Sequence, residues 1–181
     1  TEARVVRALG KNYMVLTAPV RLQRIAQDLV AHFVKRWETG KAMLVCLDKL
    51  TAVKMYNLIA AEWQKKIAEL RQQAMRMTGD QEEAEVQRLI AWLEETQIRV
   101  VVSEEQNEVN TFREWGLDIQ PHRKLMKECD LEEQFKDADH PFRLAIVCAM
   151  WMTGFDVESL ATLYVDKPMR SHTLMQTIAR A

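Results

Sequence analysis

Glycine is scarce in this chain, and none of it falls where a nucleotide-binding loop needs it. The five glycines stand at positions 10, 40, 79, 116 and 154. A loop that cradles phosphates requires Gly-x-x-x-x-Gly-Lys-Ser/Thr. Gly10-Lys11 and Gly40-Lys41 lack both the first glycine and the hydroxyl residue. Cysteine is scarcer still. Cys46, Cys129 and Cys148 are odd in number and far apart, which excludes a disulfide framework. Cys46 and Cys148 lie in apolar runs, so they read as buried thiols in a reducing cytosol, with no metal site. His32, His122, His140 and His172 show no ligand spacing. No Ser-His-Asp set and no partnered carboxylate pair is legible. No apolar run reaches membrane-spanning length and no signal peptide opens the chain, so the expectation is a cytoplasmic protein with no membrane partner. A surplus of charge is missing as well: 25 basic residues face 26 acidic ones, for a net charge of −1. Nothing draws the whole chain to nucleic acid, which leaves only a local basic patch for that purpose.

What is present is an ordinary globular composition, with 48% apolar and 28% charged residues in 181, enough for one domain with a real core. The chain does not begin with methionine and stops inside a helical pattern, so the expectation is a piece of something larger. Tyr13–Thr17 reads as a short strand ended by Ala18-Pro19. Leu22, Ile25, Leu29, Phe33 and Trp37 recur at helical steps until Gly40. Residues 42–47 are a short, continuous apolar run, as in a strand buried on both faces of a parallel sheet. From Lys49 a long helix carries the stripe Ile59, Trp63, Ile67, Leu70, Ala74 and Met77. Thr78-Gly79-Asp80 breaks it, with Asp80 as N-cap, and a second helix turns Val86, Leu89, Ile90 and Leu93 inward. Residues 50–96 thus form a helical hairpin standing off the sheet. Its Lys65, Lys66, Arg71 and Arg76 suit an arm on DNA or a sister domain, but Glu62, Glu69, Glu82, Glu83 and Glu85 offset them, which favours a solvated amphipathic hairpin. Residues 98–103 are the next strand and 104–115 a helix. Residues 118–141 read as a mobile loop with a short helix, carrying the basic patch Arg123, Lys124 and Lys127. Strands alternating with helices argue for a parallel sheet with helices on both faces.

The C-terminal stretch is the most informative. Leu144 opens a buried strand that leads into Thr153-Gly154-Phe155-Asp156, and residues 160–165 form another strand. A final helix then sets His172, Gln176 and Arg180 on one face, four residues apart. Sites in open α/β sheets form beyond the carboxyl ends of strands. Thr153-Gly-Phe-Asp156 resembles motif V of superfamily-two helicases. Gln176-Thr-Ile-Ala-Arg180 resembles the front of motif VI, and Gly40–Asp48 resembles the strand that carries motif IV. From about Val20 onward the wording is most similar to the motor (restriction) subunit of type I restriction endonucleases, ATP-dependent translocases of double-stranded DNA.

The resemblance implies a RecA-like α/β lobe, the second (C-terminal) of two, spanning residues 1–181 with the 50–96 hairpin inserted in it. The phosphate loop would lie on the first lobe, in keeping with its absence here. Thr153 would contact the DNA backbone together with Arg123, Lys124 and Lys127. Gly154, Asp156 and Gln176 would couple ATP to the DNA track, and Arg180 would reach the nucleotide phosphates as the catalytic arginine. The second arginine of motif VI would fall beyond Ala181. ATP and Mg²⁺ would serve the full-length parent, an ATP-dependent site-specific deoxyribonuclease, and the fragment alone would bind neither and be inactive. The implied partners are double-stranded DNA, the first lobe of the same chain, and the modification and specificity subunits. Asp137-Ala-Asp-His140 superficially matches the metal-binding motif II, but it does not follow an apolar strand and reads as a loop. The rival reading is a non-catalytic α/β module that binds a protein.

Overall fold

Four runs of the chain become the strands of one sheet, the two middle ones buried nearly throughout and the two edge ones only partly. They are β1 (Lys41–Cys46), β2 (Gln97–Val101), β3 (Phe142–Val147) and β4 (Leu160–Asp166). The computed structural model describes residues 10–151 and 155–169. All strand pairs are parallel, in the order β2-β3-β1-β4. Side chains alternate across a pleated sheet, and this sorts them into two cores. Ala42, Leu44, Cys46, Val100, Val102, Leu144, Ile146 and Cys148 share one core. Met43, Val45, Val101, Ala145 and Val147 belong to the other.

The first face is covered by α1 (Pro19–Lys35), α2 (Lys49–Ala74) and α3 (Asp80–Glu95). The second is covered by α6 (Leu131–Lys136), through Leu131 and Phe135, and by Phe155 and Val157 on the way to β4. Between β2 and α6 run α4 (Glu108–Glu114) and α5 (Gln120–Glu128). Phe112 and Ile119 still belong to the first core, so this connection turns around the β2 edge before reaching the second face. The strand order explains the division. The β1-to-β2 connection crosses the sheet in one direction, whereas β2-to-β3 and β3-to-β4 cross in the other. Right-handed crossovers therefore put them on opposite faces. Gly40 makes the approach to β1 possible: its φ is +129°, and a Cβ there would lie 2.6 Å from the Ser159 carbonyl oxygen.

The hairpin is rooted on the sheet instead of standing clear of it. Thr51, Ala52, Val53, Met55 and Ile59 of α2 are buried in the first core, and Trp63, Ile67 and Leu70 continue into the seam with Ile90 and Leu93 of α3. Gly79, not Asp80, takes the N-cap position of α3.

Three other expectations are corrected. Residues 10–16 are helical, closed by the Thr17 N–H and hydroxyl donating to the Tyr13 carbonyl, so local i→i+4 bonding overrides the strand preference of Tyr13–Thr17. Residues 118–141 hold two helices instead of a mobile loop. Pro121 occupies the first turn of α5, and the Asp130 carboxylate caps α6 by accepting the Glu133 N–H at 3.0 Å. The helix expected from 104 begins at Glu108, after Asn107 adopts φ 58°. Among the described residues no helix is long and apolar enough to cross a membrane.

Candidate functional site

The carboxyl end of β2 sets one wall of the site. Beyond Val101 the chain runs through Val102 and Ser103 into an exposed acidic turn, and α5 packs alongside. Arg123 of α5 joins these parts. Its Nε donates to Glu108 Oε1 at 2.7 Å, and one terminal nitrogen donates to Glu108 Oε2 at 2.9 Å and to the Ser103 carbonyl at 3.2 Å. The other donates to the Val102 carbonyl at 3.0 Å. Burial pushes the Glu108 carboxyl up, but the hydrogen bonds from Arg123 and from the Glu105 N–H outweigh it and hold it below the ordinary carboxylate range. Lys127, one turn further along α5, pairs with Glu104 at 3.0 Å, and Lys124 reaches Glu128 at 3.9 Å. The three basic residues are therefore neighbours. They line a hollow of about 540 Å³ with residues 104–110.

A second cleft, of about 530 Å³, runs from Arg123 and Lys127 across the ends of β2 and β3 to Met150 and Trp151. These last two stand just ahead of the motif V-like segment, which begins at Thr153. Trp151 has φ 64°, a left-handed conformation costly for a bulky residue. Its ring stacks on Phe155 with centroids 4.4 Å apart and planes 5° apart, and on Phe135 at 5.5 Å. Trp151 and Phe155 thus both lie over the second sheet face. Asp156 is exposed between buried Phe155 and Val157. Thr153 and Gly154 lie outside the described residues, as do His172, Gln176 and Arg180.

The rest of the carboxyl rim is a row of polar contacts. Asp48, at the end of the motif IV-like strand, caps α2 by accepting the Thr51 N–H at 2.7 Å. Burial, then a hydrogen bond with Asp48, raises the Tyr13 hydroxyl to about 12. Arg21 donates to Asp166 at 3.2 Å, and Lys167 Nζ donates to the Cys148 carbonyl at 2.9 Å. Cys46 and Cys148 follow the in-register pair Val45–Val147 on neighbouring strands; both are free and buried, and burial pushes their thiols up. Such thiols are poor nucleophiles.

The motif II look-alike sits elsewhere. Asp137–His140 is the loop between α6 and β3, at the amino ends of the strands. Lys41 at the start of β1 ties it down, with Nζ donating to the carbonyls of Gln134, at 3.0 Å, and Asp137. No group of three or more His, Cys, Asp or Glu among the described residues is arranged to hold a metal. Sequence reasoning singled out neither Glu108 nor Trp151. Glu108 meets Arg123 across two helices and fifteen positions, a pairing that no local period encodes.

Comparison with known proteins adds a family. The model for type I restriction enzyme subunit R domain 3 matches residues 38–181. The HindI type I restriction enzyme endonuclease subunit of Haemophilus influenzae is 33% identical over 172 residues, covering 92% of this chain and 13% of that protein. The putative MjaIXP type I restriction enzyme endonuclease subunit of Methanocaldococcus jannaschii is 28% identical over 183 residues, covering 99% of this chain and 14% of that protein. A second putative subunit of that organism, MjaVIIP, is 24% identical over 188 residues, covering 95% and 14% respectively. The chain thus spans only a small part of the length of the curated relatives it matches.

Proposed function

Because this chain belongs to the type I restriction enzyme subunit R domain 3 family, we propose that it acts as the second RecA-like lobe of an ATP-driven double-stranded DNA translocase within a type I restriction-modification enzyme. The observation that carries the reading is the cleft in which Arg123 and Lys127 lie across from Met150 and Trp151, with Glu104, Glu128, Asp130 and Glu132 also on its walls. Two residues of the basic patch and the two residues just ahead of the motif V-like segment share one groove beyond the carboxyl ends of β2 and β3. That is where open α/β sheets carry ligands. Contacts from the lysines of this patch would go to phosphates and be insensitive to sequence.

The donor set of the chain fits half of a nucleotide site. It has no glycine-rich cradle, so the phosphates would be held mainly by the first lobe. When bound, ATP with Mg²⁺ supplies the phosphoryl transfer that drives the motor. Arg180 would add positive charge beside the phosphates from this side, and Gly154, Asp156 and Gln176 would couple cleft closure to the DNA track held by Thr153 and the lysines. The modification and specificity subunits would be the other partners.

The test uses the full-length subunit. Thr153→Ala and Asp156→Ala should slow translocation while shifting stability by no more than about 0.5 kcal/mol, since Asp156 is solvent-facing. If both variants melt early and keep their activity per folded molecule, the loop is structural and the reading fails. The rival reading, a protein-binding module, is favoured by one feature: an apolar hollow of about 810 Å³ formed by Tyr13, Val15, Leu16, Leu47 and Pro168.

A further inference from the structure

Arg123 differs from its two basic neighbours in one respect. Its side chain is 12% exposed, against 72% for Lys124 and 61% for Lys127. A guanidinium has five N–H donors, and those of Arg123 are engaged by both oxygens of Glu108, by the carbonyls of Val102 and Ser103, and by the Met126 sulfur at 3.5 Å. To reach a phosphate it would have to leave the Glu108 carboxylate, 7% exposed, without its counter-charge. Breaking a buried pair in that way is costly.

What the pair does is mechanical. Through Arg123 it joins α5 to the carboxyl end of β2 and to the first turn of α4. Through the Glu105 N–H, which donates to Glu108 Oε2 at 3.2 Å, it also holds the acidic turn. A bidentate arginine–carboxylate fork fixes direction as well as distance. Lys127 lies four residues beyond Arg123, on the same side of α5. We infer that the Glu108–Arg123 pair is a positioning clasp that orients α5 so that Lys124 and Lys127 meet DNA phosphates, and that Arg123 itself touches no DNA. The inference rests on the DNA reading of the cleft that Lys127 lines, extended to the adjoining hollow that holds Lys124.

The clasp makes a prediction opposite in sign to simple electrostatics. Glu108 is a negative charge beside the proposed track. By charge alone, or if Arg123 were a phosphate contact waiting to be released, Glu108→Gln should tighten DNA binding. By positioning, it should weaken it. The experiment measures the affinity of the complete subunit for a short duplex of arbitrary sequence across a salt series, scaled to the folded fraction from thermal melting. Lys127→Ala should lower the slope of log affinity against log salt by about one. Glu108→Gln should weaken binding about tenfold at fixed salt and lower the slope in the same direction. Arg123→Lys keeps the charge but loses the fork, and should behave like Glu108→Gln; it carries the test if Glu108→Gln does not fold. Adding Lys124→Ala and Lys127→Ala to either variant should cost nothing further, because the clasp acts through those lysines. If Glu108→Gln binds as well as wild type or better while Lys127→Ala still lowers the slope, the clasp is wrong and the DNA reading stands. If replacing both lysines leaves the slope unchanged, the cleft is not a DNA track and both ideas fall.

Discussion

Lys41 is a buried lysine at the first position of a central strand, where an ordinary sequence would place an apolar residue. Its ammonium lies 5.4 Å from the Phe135 ring centre and donates to two carbonyls of the α6 end. Burial lowers its pKa from 10.5 to about 8, against the opposing pull of Asp137. Between those two values the unfolded chain holds a proton that the folded chain has lost, so stability rises with pH across that window. Relative to Lys41→Met, the wild type should gain about 2 kcal/mol from pH 8 to pH 10. Urea denaturation at several pH values measures it, and parallel stability curves for the two proteins would refute the shift. The same residue anchors the start of the Asp137–His140 loop: the Asp137 carbonyl is fastened to β1, at the sheet end away from the proposed DNA cleft.

Among the elements, the α2–α3 hairpin owes its firmness to an aromatic seam. Trp63 Nε1–H donates to the Leu93 carbonyl at 2.9 Å in a fully buried contact, and Phe33 and Trp92 pack around it. Trp63→Phe keeps an aromatic ring but leaves that carbonyl without its donor. It should cost about 1–3 kcal/mol in equilibrium unfolding and speed amide exchange along both helices; an unchanged midpoint would show that another donor replaces the indole. The charges of the hairpin are largely settled among themselves: Lys65 pairs with Glu62 at 2.8 Å, Lys66 with Glu69 at 3.4 Å, and Arg71 with Glu94. That pattern suits a solvated face. The elements legible beforehand were those with long, clean periods. α5 and α6 were not, because each is under three turns and its apolar positions are too few to show a period among the charges of 118–141.

For the molecule as a whole, the second-lobe reading predicts no independent ATPase. Phosphoryl transfer needs a phosphate cradle, a Mg²⁺ ligand and a positioned water besides an arginine, and an arginine finger is worth about 10³–10⁵ in rate only when the rest is assembled. The purified chain with MgATP should match the buffer blank, with or without duplex DNA. In the complete subunit, Arg180→Ala should abolish most turnover while leaving the fold intact. Turnover in the isolated chain that disappears on changing Asp137 or Asp139 would make this a self-contained enzyme and overturn the assignment.

Local order along the chain was enough to find the four runs that form the sheet, although it also offered Tyr13–Thr17, which is helical, and to determine which stripe of each long helix is buried and to which family the chain belongs. A continuous apolar run such as residues 42–46 can be satisfied only where both sides of a strand are covered, and that requirement is legible one residue at a time. Periodicity says that a face is buried but not against what. The order β2-β3-β1-β4, the stacking of Trp151 and Phe155 over the second face, and the meeting of Glu108 with Arg123 were therefore decided only by the tertiary structure. Each depends on which of several compatible surfaces wins the competition for one partner, and that contest is settled between segments distant in the chain. Arg123 shows the consequence most clearly: its neighbours in sequence mark it as one of three equivalent surface cations, and its neighbours in space bind it to a buried carboxylate.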